Sequence, residues 1–432
     1  MGAGSRGPSA IIVIDNGAGN CKIGIGGEAA PRKVFPNCTA KPKGEKQMYV
    51  GDMLLDPKSE ISQLTLRRPF DRGYLVGWDL EREIWAHAFK AVLGLGRQPG
   101  HLNTRDCGLL MSEPVLNFPA IQNTTQQVVF EEFGFQSFHA APAPSFSLQR
   151  MAAINPQLPA AQAGAGVVLD AGFSFTHVIP YFDNQPLLQG VKRINLGGKA
   201  LSNYLKELVS YRSLNMMDEP YLMEVVKEAV CFVSKDVRND LKLASLRSSP
   251  FKREFVLPDG VSNFRGYLKE PPSGAPGEAT GGPGASKAAG PGSGHAPSAA
   301  DQVLLLNNER FMVPEVLFHP SDVGLKQAGV AEAVVQAVSA VHPSLAPLLY
   351  NNVCLTGGGV ACPGFTARFV SELRPLVPDD YALGVFTPPD PALCAWEGMS
   401  NFVTTGQYQG VAMTKAQYEE TGGNVGRSSQ RW

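Results

Sequence analysis

Four consecutive apolar residues, Ile11 to Ile14, stop abruptly at Asp15. The small residues Asn16, Gly17, Ala18 and Gly19 follow, and apolar character returns through Lys22, Ile23 and Ile25. The pattern predicts a buried strand of an α/β sheet, a tight turn and a returning strand. Val167 to Tyr181 repeats it, with Asp170 in the place of Asp15, Gly172 in that of Gly17 and Val178 in that of Ile23, and with His177 and Ile179 on the returning strand. A third segment, Val353 to Gly364, reads as a strand, a triple-glycine turn and a helix start, with Pro363 suited to a first helical turn.

Between these segments the pattern is mostly helical. Leu80, Ile84, Ala88 and Val92 predict an amphipathic helix over Trp78 to Leu93 with Asp79 as its N-cap. Cys107 to Met111 reads as a strand and Thr124 to Phe133 as a helix. Leu188 to Leu196 returns to strand character and stops at Gly197-Gly198. Helix spacing follows at Leu201, Tyr204, Leu205 and Leu208. A further helix carries Leu222, Val225, Val226, Ala229, Val230 and Val233, with Asp218 as its expected cap. Phe35 to Leu66 shows little periodicity and reads as a small, mostly exposed subdomain. Its Lys41, Lys43 and Lys46 fit a solvated loop better than a phosphate-binding one. Residues 271 to 300 are mostly Pro, Gly, Ala and Ser, with Glu278, Lys287 and His295 the only titratable residues and no large apolar side chain, so they cannot offset their ordering entropy. They read as a disordered insertion, because the α/β pattern resumes at Val303. Met1 to Ala10 is expected to be disordered, and Tyr418 to Trp432 ends the chain in polar residues and glycine.

Three turns of small residues after apolar strands suggest one chemistry. Such turns let backbone N–H groups approach a bound anion closely. Asp15 at a strand end suits a hydrated Mg²⁺, and Lys22 suits a phosphate. One such motif alone is as well explained by an ordinary hairpin; two copies and the third turn favour a nucleotide cleft between two similar lobes. The 432 residues allow two lobes with substantial cores, and a net charge of -1 excludes a global field driving the chain onto nucleic acid or acidic lipid. Seven scattered cysteines without a C-x-x-C pair are the usage of a reduced compartment rather than a thiol metal site. The first residues lack an apolar signal core, no run is long enough to span a bilayer, and Arg6 stands where a myristoylation signal wants Ser or Thr. A soluble intracellular protein is expected.

The hairpins, their order and the intervening segments resemble actin and the actin-related proteins over nearly the whole chain. The resemblance rests on Asp15-Asn16-Gly17 with Lys22, Tyr49 to Asp52, Asp170 to His177, Leu257 to Gly260, Asn308 to Phe311 and Thr356 to Gly359. Four further segments identify the chain as a member of the sixth actin-related protein subfamily: Phe173 to Tyr181, Arg193 to Arg212, Val230 to Asp236 and Val313 to Gly324. The resemblance implies an actin-like, duplicated ribonuclease H-like α/β fold with two lobes around a central nucleotide cleft. It implies a first subdomain of residues 11–36, 66–160 and 384–432, and a shortened second of 37–65. The third would take 161–196 and 311–383, and the fourth 197–310. It also implies ATP or ADP with Mg²⁺ as ligand. Asp15 and Asp170 would lie behind the metal through water, and Lys22 would contact the β-phosphate. Asn16, Gly17 and Ala18 would form one phosphate turn with Gly19, and Gly172, Phe173 and Ser174 the other. Lys227 and Glu228 would border the adenosine, with Gly357, Gly358 and Gly359 under the base and α-phosphate.

Several departures from actin imply lost turnover. Ala143 stands for the glutamine that positions the attacking water, Phe173 for an acidic residue, and Ala18 for a serine that senses the γ-phosphate. Cys362 replaces a tyrosine, and Thr387 to Asp390 lacks a Gly-Gly-Ser turn. The stretch Phe35 to Tyr49 is shorter than the loop with which actin grips its neighbour, so no homopolymer is expected. The subfamily implies a non-enzymatic subunit, chiefly nuclear and with the cytoplasm as a second compartment. It would belong to a Swr/SRCAP-type chromatin remodelling complex that deposits the Z variant of histone two-A. Its partners would be a helicase-like Snf-class ATPase, a zinc-HIT subunit and, through the complex, the nucleosome; no membrane is involved. A cytoskeletal actin-related protein and an active ATPase or kinase of the same fold remain as alternatives.

Overall fold

The computed structural model describes residues 7–44, 46–94, 102–269 and 302–421. The expected disorder at 1–6 and 271–300 falls outside the described residues. The chain enters the fold before residue 11: Ser9 donates its backbone N–H to Asp106 O at 2.7 Å, and the first strand begins at Ala10.

Strand β1 (Ala10–Asn16) is buried from Ile11 onward, returns through β2 (Asn20–Ile25) and lies parallel to β3 (Cys107–Glu113). These three form the middle of a six-stranded sheet, extended past β3 by Ser137–Pro142 and Met413–Thr414 and past β2 by Lys33–Pro36. A second six-stranded sheet is built the same way. Strand β4 (Gly166–Ala171) returns through β5 (Thr176–Phe182) and lies parallel to β6 (Val353–Thr356). The two hairpins share one register: Asp15 faces Lys22 and Ile14 faces Ile23, as Asp170 faces His177 and Leu169 faces Val178. The duplication read from the sequence is a duplication of backbone pairing.

Helix α1 (Ala143–Ile154) leads from the first sheet to the second. Helix α2 (Gly198–Arg212) and helix α3 (Pro220–Val230) cover the second lobe. Helix α4 (Cys394–Thr404) comes back across α1, close enough that a Cβ on Gly398 would stand 2.1 Å from Phe146 O. Trp396 of α4 is fully buried and donates its indole N–H to Val13 O of β1 at 3.2 Å.

Several local expectations are corrected. The helix at Trp78–His87 starts from Gly77 with no side-chain cap, so Asp79 lies inside its first turn. It buries Glu81, Ile84, Trp85 and, in the following turn, Ala88 and Phe89. Helix α3 starts at Pro220 from Glu219, not from Asp218; proline's fixed φ sets the start where no cap does. Pro363 lies outside its helix, which begins at Phe365 after Gly364 in the left-handed conformation. The expected helix at Thr124 begins earlier, at Pro119, and of Leu188 to Leu196 only Lys192–Ile194 is strand. The chain also keeps structure past Tyr418, in a helix over Lys415–Thr421.

The largest difference concerns Phe35 to Leu66. This segment is not mostly exposed: Cys38, Ala40, Leu54, Ile61 and Leu64 are buried in one continuous core with the second lobe. Its lysines Lys41, Lys43 and Lys46 are exposed, as expected. The apolar residues are scattered: Ala40 and Leu64 lie on short strands, Thr39–Pro42 and Leu64–Arg67, Leu54 on the helical turn Gly51–Leu55, and Cys38 and Ile61 between elements, so no window holds a full period. Contacts reach across to the other side. Ile61 N–H donates to Phe264 O at 3.2 Å, and Arg265 donates to Leu54 O at 2.8 Å.

Candidate functional site

Strands β1 and β4 end facing the space between the lobes, where open α/β sheets place ligands. Asp15, 5% exposed, uses both carboxylate oxygens: Lys22 Nζ donates to Oδ2 at 2.5 Å and Ser112 Oγ to Oδ1 at 2.6 Å. Burial works against the charge on Lys22, but Asp15 and Asp170 more than offset it and its pKa is raised. Asp170 makes no side-chain hydrogen bond or ion pair among the described residues. Burial and the nearby Asp15 push it up to about 6, with Lys22 opposing. One ammonium, paired with Asp15 alone, thus faces two carboxylates, a donor set that is short of positive charge and suits a hydrated divalent cation.

Around this pair, the backbone N–H groups of Ala18 and Gly19, of Phe173 and Ser174, and of Gly358 donate to no other group among the described residues. Five unpaired amides from three turns suit a phosphate chain. Gly357 has φ +90, and a Cβ there would lie 2.6 Å from Asp170 Oδ1 and 2.5 Å from Ala171 O; only glycine lets the third turn lie against β4. Gly358 is exposed, with nothing within 4 Å of where its Cβ would be. Lys227 turns inward, donating to Gly198 O at 3.1 Å and Ser202 Oγ at 3.0 Å, whereas Glu228 beside it is exposed. The structure therefore gathers Asp15 to Ala18, Lys22, Asp170 to Ser174, Lys227 and Gly357 to Gly359 around one cleft. These residues fit a magnesium–nucleotide.

Two comparisons bear on what this cleft belongs to. The actin family model matches residues 7–428. The chain is 42% identical over 426 residues to actin-related protein 6 of Oryza sativa subsp. indica, covering 96% of this chain and 97% of the relative. It is 41% identical to actin-related protein 6 of Arabidopsis thaliana (96% and 97% covered) and 34% identical to that of Drosophila melanogaster (96% and 98% covered). The chain belongs to the actin-related protein 6 family.

In this member of the actin-related protein 6 family, the start of α1 and His177 bear on what the turns can do chemically. The first turns of α1, Ala143 to Leu148, carry no amide or carboxylate side chain, and Ser145 is paired with the Tyr181 hydroxyl at 3.1 Å. His177 is lowered to about 4 by burial and by Arg193, which makes it a weak proton acceptor at neutral pH. Sequence reasoning passed over four residues that hold the turns in place. Ser112 supports Asp15 and accepts the Asn16 N–H at 2.9 Å. A polar residue near the end of an otherwise buried strand, in register beside Asp15, was its only signal. Asn37 donates to Asn16 Oδ1 and Gly17 O, both at 3.1 Å, and Asn16 donates to Glu81 at 2.6 Å. Arg68 donates to Gly19 O at 2.9 Å; nothing local in the sequence marks Asn37, Glu81 or Arg68.

Proposed function

We propose that this protein is a nuclear, non-polymerising and non-hydrolysing subunit of a Swr/SRCAP-type chromatin remodelling complex that deposits the Z variant of histone two-A. The observation that carries the reading is its end-to-end similarity to proteins named actin-related protein 6, together with the subfamily's role as the resemblance implies it. The missing water-positioning group at α1 and the weakly basic His177 agree with a structural role. The motor ATPase is then a partner subunit, a helicase-like Snf-class protein, with a zinc-HIT protein as second partner.

Mild affinity purification from nuclei, read by mass spectrometry, tests this. Recovery of the Snf-class ATPase, the zinc-HIT protein and the Z-variant histone is the expected result. Recovery of actin filaments or dynein-type motors instead would overturn it in favour of a cytoskeletal role.

In the cleft, Asp15 and Asp170 would hold Mg²⁺ through water. Lys22 and the free amides of the two aspartate turns would hold the phosphates, and Lys227, Glu228 and Gly357 to Gly359 would border the nucleoside. A bound ATP or ADP would supply phosphate charge that ties the lobes together, stabilising the fold by linkage. At a hundredfold excess over its Kd, the magnesium–nucleotide is expected to stabilise the protein by about 2.7 kcal/mol. In a thermal-shift measurement Asp170→Asn should lose the magnesium-dependent part of that gain. An Asp170→Asn protein that gains as much as wild type would remove Asp170 from the metal site.

A further inference from the structure

Protein contacts join the two lobes directly across the small-residue turns. The ring of Phe173, from the second lobe, lies over the Gly19 backbone of the first so closely that a Cβ on Gly19 would stand 2.8 Å from it. The guanidinium of Arg68 covers the ring at 4.5 Å from its centroid. Arg68 then spans the gap: one nitrogen donates to Gly19 O at 2.9 Å and to Ala18 O at 3.4 Å, and the other to both carboxylate oxygens of Glu224 on α3, at 2.9 and 2.8 Å. Both members of the ion pair are largely buried, and a single Arg68 nitrogen sits between the two Glu224 oxygens. On the second-lobe side the same ring abuts Gly198 at the start of α2, where a Cβ would lie 3.5 Å from it.

We propose that Phe173 is the specificity-determining residue of the cleft: stacked between Gly19 and Arg68, it closes the lobes without help from a terminal phosphate, so the site takes nucleoside di- and triphosphates alike. The inference rests on the nucleotide reading above. A ligand shifts a conformational equilibrium only by its differential affinity for the two states. Where the closed state is held by Phe173, Arg68 and Glu224, the γ-phosphate has no open state to select against, and it adds nothing to closure. Without the latch, the free amides of the two facing turns would need a bridging phosphate to stay together, and the triphosphate would be favoured.

The test uses the full chain, stripped of nucleotide, and four variants: Phe173→Ala, Phe173→Tyr, Arg68→Ala and Arg68→Lys. Calorimetric titration with MgATP and MgADP is expected to give wild-type and Phe173→Tyr affinities within about threefold of each other for the two ligands. Phe173→Ala and Arg68→Ala should prefer MgATP by about tenfold or more, with Arg68→Lys between them and wild type. Hydrogen exchange without nucleotide is the second readout. The amides of Asn37, Gly198 and Lys199, which donate to Gly19 O, Gly172 O and Phe173 O, should be protected in wild type and exchange about tenfold faster in Phe173→Ala, while Ile11 to Ile14 and Val167 to Leu169 stay unchanged. A tenfold wild-type preference for MgATP, or these amides equally protected in Phe173→Ala, would overturn the latch. Failure of wild type to bind either nucleotide would instead overturn the nucleotide reading, and exchange alone would then decide whether the latch exists.

Discussion

Glu81→Gln is expected to stabilise the protein above pH 7 and to leave it nearly unchanged near pH 4.5. Glu81 is fully buried beneath the turn that follows Asp15, and burial pushes it from 4.5 up to about 7, against the pull of Asn16, Asn37 and Trp85. Its Oε1 accepts from Asn16, but Oε2 has no hydrogen-bond partner, and neither has Asn37 Oδ1. Both are acceptors; the Trp85 indole N–H is a buried donor without a hydrogen-bond partner beside them, and a proton on Oε2 adds a second donor. Asn37 in turn donates to Asn16 Oδ1 and to Gly17 O, which ties this buried group to the turn. Because the folded-state pKa lies above the unfolded one, this stability is complete below pH 4.5 and is lost as pH rises through about 7. The gap corresponds to about 3 kcal/mol. Glutamine offers the same donor at every pH. Denaturation midpoints of wild type and variant at pH 4.5 and pH 8 measure the effect; a variant less stable than wild type at pH 8 would show that the buried carboxylate is wanted in its charged form.

Arg368→Ala is expected to lose about 3–5 kcal/mol, enough to abolish soluble protein at physiological temperature. Arg368, 8% exposed, donates through two nitrogens to the two oxygens of Glu315, which is 3% exposed, at 2.9 and 3.2 Å. It also donates to Ser234 O at 2.7 Å and to Glu372 at 2.5 Å, and it lies 5.2 Å over the Phe318 ring. Removing it strands a buried carboxylate and a buried carbonyl. The physical asymmetry sharpens the test: losing one partner costs far more than losing both. Glu315→Met combined with Arg368→Met should therefore recover much of the loss in the same thermal or denaturant assay. Equal instability of the double variant would place the cost in packing against Phe318 rather than in the stranded charge.

Glu315 also shows how far the sequence could be read. Val313 to Gly324 was recognisable as a family segment, yet nothing in it announced that its glutamate pairs with Arg368, 53 positions away. The two turns after Asp15 and Asp170 could be picked out because each follows an apolar strand and holds a glycine, and both features are local; Lys227 and Glu228 lie inside helix α3 and came from the resemblance alone. The buried face of the Trp78 helix was less so. Its polar Glu81 breaks the apolar period, and its reason for being inside comes from elsewhere in the chain, from Asn16 at the end of β1 and Asn37 in the bend after Lys33–Pro36. The shortened segment of residues 37–65 read as exposed because its few apolar residues are scattered, and only the second lobe's core, supplied by distant chain, shows them to be buried.

By itself the sequence determined the duplicated hairpins, their common register, the three small-residue turns and the family. Strand period, turn chemistry and strand-end carboxylates act over a few residues, and a few residues of pattern suffice to read them. Only the tertiary structure decided how the turns are closed. Arg68 meets Glu224 from 156 positions away, and Phe173 reaches Gly19 from the other lobe. Those contacts depend on where packing brings two separate sheets, and no local pattern of polar and apolar residues records that.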